Sequence, residues 1–103
     1  MYTPIKLEKN RNFRYGMKAI SLIEKTLDVK IAKLDLENLS MEDTATIIWA
    51  GLVHEDKDLT VDKVMELIDE HASLTEVLET MAKALSEAFG ANETEKNLKK
   101  VVK

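Results

Sequence analysis

An acidic loop between two predicted helices holds the side chains that come nearest to a metal site. The loop reads HEDKDLT. Asp56, Asp58 and Thr60 have the spacing of the first, third and fifth ligands of a calcium-binding EF-hand. That motif also requires glycine at its sixth position and a bidentate glutamate at its twelfth, where this chain has Val61 and Leu67. The pattern therefore indicates solvated carboxylates, and no metal site is predicted.

Other residue types that carry chemistry lack the spacing that the chemistry needs. The histidines, His54 and His71, have no histidine partner at the four-residue spacing that zinc motifs use. The chain has no cysteine, so it has no thiolate nucleophile, and it has no GxSxG turn to activate a serine. Gly16, Gly51 and Gly90 stand apart and form no phosphate-binding loop. We therefore predict a protein that is not an enzyme, with no catalytic residue and no cofactor.

The single tryptophan, Trp49, lies in a strongly apolar predicted helix at about residues 40–54. Ser40, with Asp43 three residues later, resembles a capping box and indicates where this helix begins. An apolar stripe recurs along the helix at helical spacing: Met41, Ala45, Ile48, Trp49 and Leu52. Trp49 is therefore either a core anchor or the aromatic centre of a binding surface.

Apolar residues at intervals of three and four predict three further helices. They span residues 17–27, about 61–71, and the stretch from Ser73 to Gly90. Thr60 is the predicted N-cap of the helix at 61–71, and Gly90 is a fitting C-terminal stop. The stripe predicted for the helix at 17–27 is Met17, Ile20, Ile23 and Leu27.

The connection at residues 28–39 and the C-terminal tail complete the predicted organisation. Four apolar side chains of the connection are expected to pack inward: Ile31, Leu34, Leu36 and Leu39. The connection can also hold a short helical turn. Residues 91–103 are polar and indicate a flexible tail. Residues 1–90 are therefore predicted to form a single helical domain.

Two short alternating runs near the N-terminus predict a β-hairpin. They are residues 5–8 and 13–15, and the asparagines of residues 9–12 favour a turn between them. Pro4 fits a strand start or an edge. The alternative is that Phe13 already belongs to the following helix. The predicted fold class is mainly α, a four-helix domain with a short N-terminal β-hairpin.

The net charge of −4 conceals an uneven distribution of charge along the chain. Residues 1–39 hold 8 basic and 5 acidic side chains, residues 40–95 hold 3 and 14, and residues 96–103 hold 4 and none. The acidic middle disfavours nucleic acid, because phosphates would be repelled. The basic ends are expected to pair with the acidic body, in the same chain or in a neighbouring copy, so a homo-oligomer is one possible state.

A small DNA-binding regulator is an alternative function that the charge pattern disfavours. The predicted helix VDKVMELIDEH has one lysine against four acids, the opposite of a recognition helix. No apolar run approaches the roughly 20 residues of a transmembrane helix. The N-terminus also lacks the apolar segment of a secretory signal. We therefore expect a cytoplasmic protein that binds neither membrane nor nucleic acid.

The order of these pieces resembles the small tail assembly chaperones of long-tailed bacteriophages and prophages, over about residues 5–70. The resemblance lies in Ile23-Glu24 inside the first helix and in Leu39-Ser40 at the start of the second. It also lies in Trp49-Ala50-Gly51-Leu52, followed by an acidic loop and a Thr-capped helix. The resemblance implies a non-enzymatic protein in the host cytoplasm. Such a protein binds the tape measure protein during tail morphogenesis and keeps it soluble until the tail tube polymerises round it.

A chaperone for a long helical client needs exposed apolar or methionine-rich surface. Trp49, Leu52 and Val53 are the predicted partner-binding patch on such a surface. Most of the four methionines on the helical stripes are expected to fill gaps in the core: Met17, Met41, Met65 and Met81. An unrelated protein-interaction module is the remaining alternative.

Overall fold

The computed structural model describes residues 3–88, which form an antiparallel hairpin followed by four α-helices. The elements are β1 (Thr3–Lys6), β2 (Asn10–Phe13), α1 (Met17–Leu27), α2 (Met41–Leu52), α3 (Val61–His71) and α4 (Leu74–Ala88). The prediction of a mainly α fold with four helices and an N-terminal hairpin is confirmed. The predicted helix stop at Gly90 and the predicted tail at residues 91–103 lie outside the described residues.

Local hydrogen bonds explain where three of the helices begin. A serine or threonine oxygen before each helix accepts the backbone N–H three residues later: Ser40 from Asp43 at 3.0 Å, Thr60 from Lys63 at 3.1 Å, and Ser73 from Glu76 at 3.4 Å. Each bond satisfies a backbone donor that the helix itself leaves unpaired. The predicted N-caps Ser40 and Thr60 are therefore confirmed. α1 ends at Leu27 and is followed by Asp28, whose φ of 53° lies in the left-handed region that Asp tolerates.

The hairpin forms earlier in the chain than predicted. Its register pairs Thr3 with Phe13, Pro4 with Asn12, Ile5 with Arg11 and Lys6 with Asn10. The turn therefore lies at residues 7–9, and the predicted turn at residues 9–12 is wrong. The alternative that Phe13 belongs to the first helix is also wrong, because Phe13 ends β2. This register buries both Arg11 and Phe13. The alternation of apolar residues did not reveal it, because the residue buried beside Phe13 is charged.

α2 lies at the centre of the molecule and packs against α1, α3 and β2. Nearly its whole length is buried: Thr44, Ala45, Thr46, Ile47, Ile48, Ala50, Gly51 and Leu52. A helix that is apolar on every side is expected to be surrounded by other elements. The buried hydroxyls of Thr44 and Thr46 donate to the backbone carbonyls four residues earlier, so their burial leaves no unpaired hydroxyl donor.

α1 covers one side of α2 with Ala19 and Ile23, which are its buried residues. Ile20 and Leu27 are half-buried, as their predicted stripe requires, but the side chain of Met17 is 91% exposed. The prediction that Met17 belongs to the buried stripe is wrong. The connection after α1 packs against the core as predicted, through the half-buried side chains of Ile31, Leu34, Leu36 and Leu39. It contains two short 3₁₀ turns, Ile31–Lys33 and Leu36–Asn38.

A buried arginine joins the hairpin to the loop between α2 and α3. Arg11 is 3% exposed and donates to the Glu8 carboxylate from Nε at 2.9 Å and from Nη2 at 2.6 Å. Its Nη2 also lies 3.7 Å from Oδ2 of Asp56 in the loop. The hydrogen bonds from Arg11 lower the pKa of Glu8 to about 2, so Glu8 stays ionised as the partner of the buried charge.

We expect Glu8→Gln to make the protein less stable at neutral pH, by on the order of 1 kcal/mol, because Glu8 is partly exposed and screened by solvent. Since its folded-state pKa lies below the ordinary value of 4.5, ionised Glu8 stabilises the fold above about pH 4.5. That contribution is lost as the pH falls toward 2. Urea unfolding at several pH values should therefore show a difference between wild type and variant that shrinks in this window. The control is Glu66→Gln, which removes one partner of an exposed ion pair with Lys63. A stability difference between wild type and Glu8→Gln that stays the same at every pH would contradict this role of Glu8.

Candidate functional site

An open groove of about 900 Å³ runs between α1 and the C-terminal end of α2. On the α1 side, Lys18, Leu22 and Lys25 recur at spacings of four and three, so they lie on one face of the helix. Ser21 lies between them, and Met17 stands at the N-terminal end of the groove. Leu22 is half-buried against the core, whereas Lys18 and Lys25 are exposed on either side of it.

The α2 side of the groove consists of small and medium apolar side chains. Ala50 and Val53 stand one turn apart, and His54 follows Val53. Ala50 is fully buried and forms part of the floor together with Ala19 of α1. Because both alanines are already buried, the exposed apolar surface of the groove comes from its larger apolar side chains.

Among the residues that the structure describes, every ionisable side chain that lines the groove is basic or a histidine. Arg14, Lys18 and Lys25 carry positive charge, and His54 is the fourth ionisable group. The chain as a whole has a net charge of −4, so the sign of the groove is opposite to that of the molecule. A concave surface lined by one sign of charge attracts ligands of the other sign.

The acidic loop holds the hairpin in place. The Glu55 carboxylate accepts the backbone N–H of Asn12 at 3.0 Å and its side-chain amide at 3.1 Å. His54 Nε2 donates to the Asn12 carbonyl at 2.8 Å. Partial burial of Glu55 opposes its ionisation, but the hydrogen bonds from Asn12 and the nearby charges of His54 and Arg11 lower its pKa. The interpretation of these residues as purely solvated charges is therefore incomplete, because they position the end of α2 that lines the groove.

A metal site was the remaining possibility for the acidic and histidine side chains of the described residues. Within the described part of the chain, no group of three or more His, Cys, Asp or Glu side chains could hold a metal ion. Across residues 3–88, no helix is both long and apolar enough to cross a membrane. The groove combines apolar floor with positive rim, an arrangement suited to binding a surface of another molecule.

The predicted partner-binding residues Trp49, Leu52 and Val53 do not form one exposed patch. Leu52 is 0% exposed and belongs to the core, so its prediction as a surface residue is wrong. Trp49 is half-buried against the core, and its Nε1 donates to the Leu59 carbonyl at 2.7 Å. Val53 is half-buried and lines the groove. Leu52 and Val53 are successive residues and point about 100° apart, so one enters the core while the other faces the groove.

The indole hydrogen bond of Trp49 fastens the start of α3 to α2, because Leu59 precedes the Thr60 cap. We expect Trp49→Phe to keep most of the buried surface but to leave the Leu59 carbonyl without this donor. The cost should be about 1 kcal/mol in the free energy of unfolding. Circular dichroism during urea unfolding measures it. Met41→Leu, at a residue that is 57% exposed, is the control and should change stability little; a neutral Trp49→Phe would show that the bond contributes nothing.

The groove residues that the sequence interpretation missed are Met17, Lys18 and Lys25. Their signal was present, since Lys18 and Lys25 are two turns apart beside the apolar stripe of α1. Of the four methionines expected mostly in the core, Met81 is buried and Met65 half-buried, whereas Met17 and Met41 are 91% and 57% exposed.

Comparison of this chain with protein-family models, with curated proteins and with solved structures gave no match.

Proposed function

We propose that this chain is a non-enzymatic phage tail assembly chaperone that binds the tape measure protein during tail morphogenesis. The observation that carries the proposal is the open groove between α1 and α2, with its apolar floor and with Met17 exposed over 91% of its surface. Flexible methionine side chains adapt to varied apolar partners. The resemblance of residues 5–70 to tail assembly chaperones supplies the identity of the client.

The alternative of a DNA-binding regulator has less support from the same surface. Lysines that contact phosphates gain nothing from Met17, Leu22 and Val53, whereas a protein client buries the apolar surface that these side chains leave exposed. α3 carries Asp62, Glu66, Asp69 and Glu70, which would repel the backbone of a duplex. An interaction module of unrelated origin differs from the chaperone only in its partner, so the test must use the proposed client itself.

The test is co-expression of this chain with fragments of the tape measure protein that the proposal names as its client. We expect at least one fragment to be insoluble alone, to become soluble with this chain and to co-purify with it. Met17→Glu should reduce the soluble yield, because it places a charge in the apolar groove. Met41→Glu, at an exposed methionine outside the groove lining, is the matched control. If every fragment remains insoluble or elutes without the chain, the chaperone function is wrong. Sedimentation of the purified chain tests the possible homo-oligomer in the same preparation.

A further inference from the structure

We infer that the groove between α1 and α2 binds a single amphipathic helix of the partner, whose apolar stripe is flanked by acidic side chains. The inference rests on the proposed function for the identity of the partner, and it adds the chemistry of the segment that is bound. Three observations support it. They are the shape of the groove, the sign of its charge, and the burial of the apolar residues of α3 and α4, which are the acidic helices of this chain.

The shape of the groove fits a helix. Its two walls are helix faces: Lys18, Leu22 and Lys25 on α1, and Ala50 with Val53 on α2. The lining on α1 runs from Met17 to Lys25 and is therefore about 12 Å long, which accommodates about two turns of a partner helix. The lining on the opposite wall covers about one turn. Amphipathic helices commonly bind in this way, with apolar residues at every third or fourth position inserted between two helices of the receptor.

The charge of the groove selects an acidic partner. Lys18 and Lys25 stand two turns apart on the exposed edge of α1, and both side chains are exposed. Among residues 3–88, neither lysine makes an ion pair with a carboxylate. Carboxylates two turns apart on a partner helix would match this spacing. Steering by such charges increases the rate of association and discriminates against basic partners.

A second copy of this chain fits the groove less well. Its acidic helices are α3 and α4, and each already buries its apolar stripe in its own core: Val64, Leu67 and Ile68 on α3, and Val77, Met81, Ala84 and Leu85 on α4. They have acidic side chains to offer but no free apolar stripe. Residues 96–103 of the chain carry four lysines and no acid, so their charge has the same sign as the groove.

The experiment uses three fluorescein-labelled helical peptides of about 18 residues, a length at which a helix can form in isolation. All share one leucine stripe, and the positions beside it are Glu, Gln or Lys. In fluorescence anisotropy we expect the Glu peptide to bind the full chain at least tenfold more tightly than the Lys peptide. Lys18→Glu with Lys25→Glu should weaken the Glu peptide at least tenfold. Lys63→Glu with Lys83→Glu is the control, because it makes the same change in net charge at exposed lysines outside the groove.

Each contrary outcome overturns the inference. Equal binding of the Glu and Lys peptides removes the charge selection, and unchanged binding by the Lys18/Lys25 variant places the site elsewhere. If a DNA duplex displaces the labelled Glu peptide at a lower concentration than the unlabelled Glu peptide does, the groove is assigned to nucleic acid. A wild-type dimer that the Lys18/Lys25 variant dissociates assigns it to a second copy. If the Lys18→Glu/Lys25→Glu variant unfolds at a lower temperature than wild type, the test is repeated with the milder pair Lys18→Gln and Lys25→Gln.

The peptide assay and the co-expression test can fail separately. If the Glu peptide binds but no tail protein fragment is made soluble, the proposed function falls and the inference about the groove stands. If the fragments are made soluble equally by wild type and by the Lys18/Lys25 variant, the proposed function stands and the inference falls.

Discussion

Phe13→Ala is expected to lower the free energy of unfolding by about 3–5 kcal/mol, the range for truncating a large buried aromatic side chain. Phe13 is 1% exposed and ends β2, the strand that packs against α2. Its ring stacks on Tyr15 with centroids 5.7 Å apart and planes inclined by 18°. Truncation leaves a cavity beneath the hairpin and removes this aromatic contact, and the central helix around it cannot collapse to fill the space.

The effect of Phe13→Ala should be a large fraction of the total stability of a small domain, which is about 5–15 kcal/mol. Urea unfolding followed by the fluorescence of Trp49 measures it, because this chain has a single tryptophan. Phe13→Leu is the control, since it keeps most of the buried volume and should lose much less. A loss below about 1 kcal/mol for Phe13→Ala would mean that the hairpin contributes little to the core.

The four helices could be predicted because their signals are local. Ser40 and Thr60 cap their helices through bonds to residues only three positions away. The apolar spacing of α1 and α3 reports one buried face for each, and both helices have the predicted bounds, residues 17–27 and 61–71. None of these signals needs a contact with a distant part of the chain.

The hairpin register could not be predicted from alternation, because it depends on a charged residue that is buried. Arg11 enters the core side only because Glu8 and Asp56 meet its guanidinium there. Asp56 is far from Arg11 in sequence, and nothing in the local pattern shows that the two will meet. The buried charge therefore has to be compensated by tertiary structure before this register becomes favourable.

The groove was hidden for a related reason. The stripe of Lys18 and Lys25 is visible in the sequence, but the opposite wall is not. α2 is apolar on nearly every side, so its sequence does not show that Leu52 faces the core while Val53 faces the groove. Only the arrangement of the neighbouring elements around α2 decides which of its faces stays open.

Gly51→Ala is expected to destabilise the protein by about 1–3 kcal/mol through overpacking, although alanine in a helix is favoured over glycine by about 1 kcal/mol. A Cβ at position 51 would lie 2.5 Å from Cζ and 2.8 Å from the hydroxyl oxygen of Tyr15, and 2.9 Å from Cδ1 of Phe13. A backbone hydrogen bond also holds the segment at residues 13–15 close to α2, because the Arg14 N–H donates to the Gly51 carbonyl at 2.9 Å.

The two rings cannot move aside at low cost. The Tyr15 hydroxyl donates to the Ile47 carbonyl at 2.8 Å. Burial raises the pKa of Tyr15 well above its ordinary value, so the hydroxyl remains a neutral donor. Moving the ring breaks this bond inside the core and leaves the Ile47 carbonyl without this donor. Overpacking therefore outweighs the gain in helix propensity.

Gly16→Ala provides the matched control for Gly51→Ala. A Cβ at position 16 meets only Nε of Arg14, at 3.8 Å, and the φ of −86° suits any residue. Alanine is less favourable than glycine at an N-cap, which destabilises the variant, but it also lowers the entropy of the unfolded chain, which stabilises the variant. Because the two effects oppose each other, the free energy of unfolding should change by less than about 1 kcal/mol. Thermal unfolding of both variants measures the difference. If Gly51→Ala is as neutral as Gly16→Ala, the chain at residues 13–15 does not lie close against α2. The groove wall that continues from Arg14 into α1 would then lose the contact that aligns it with Ala50 and Val53.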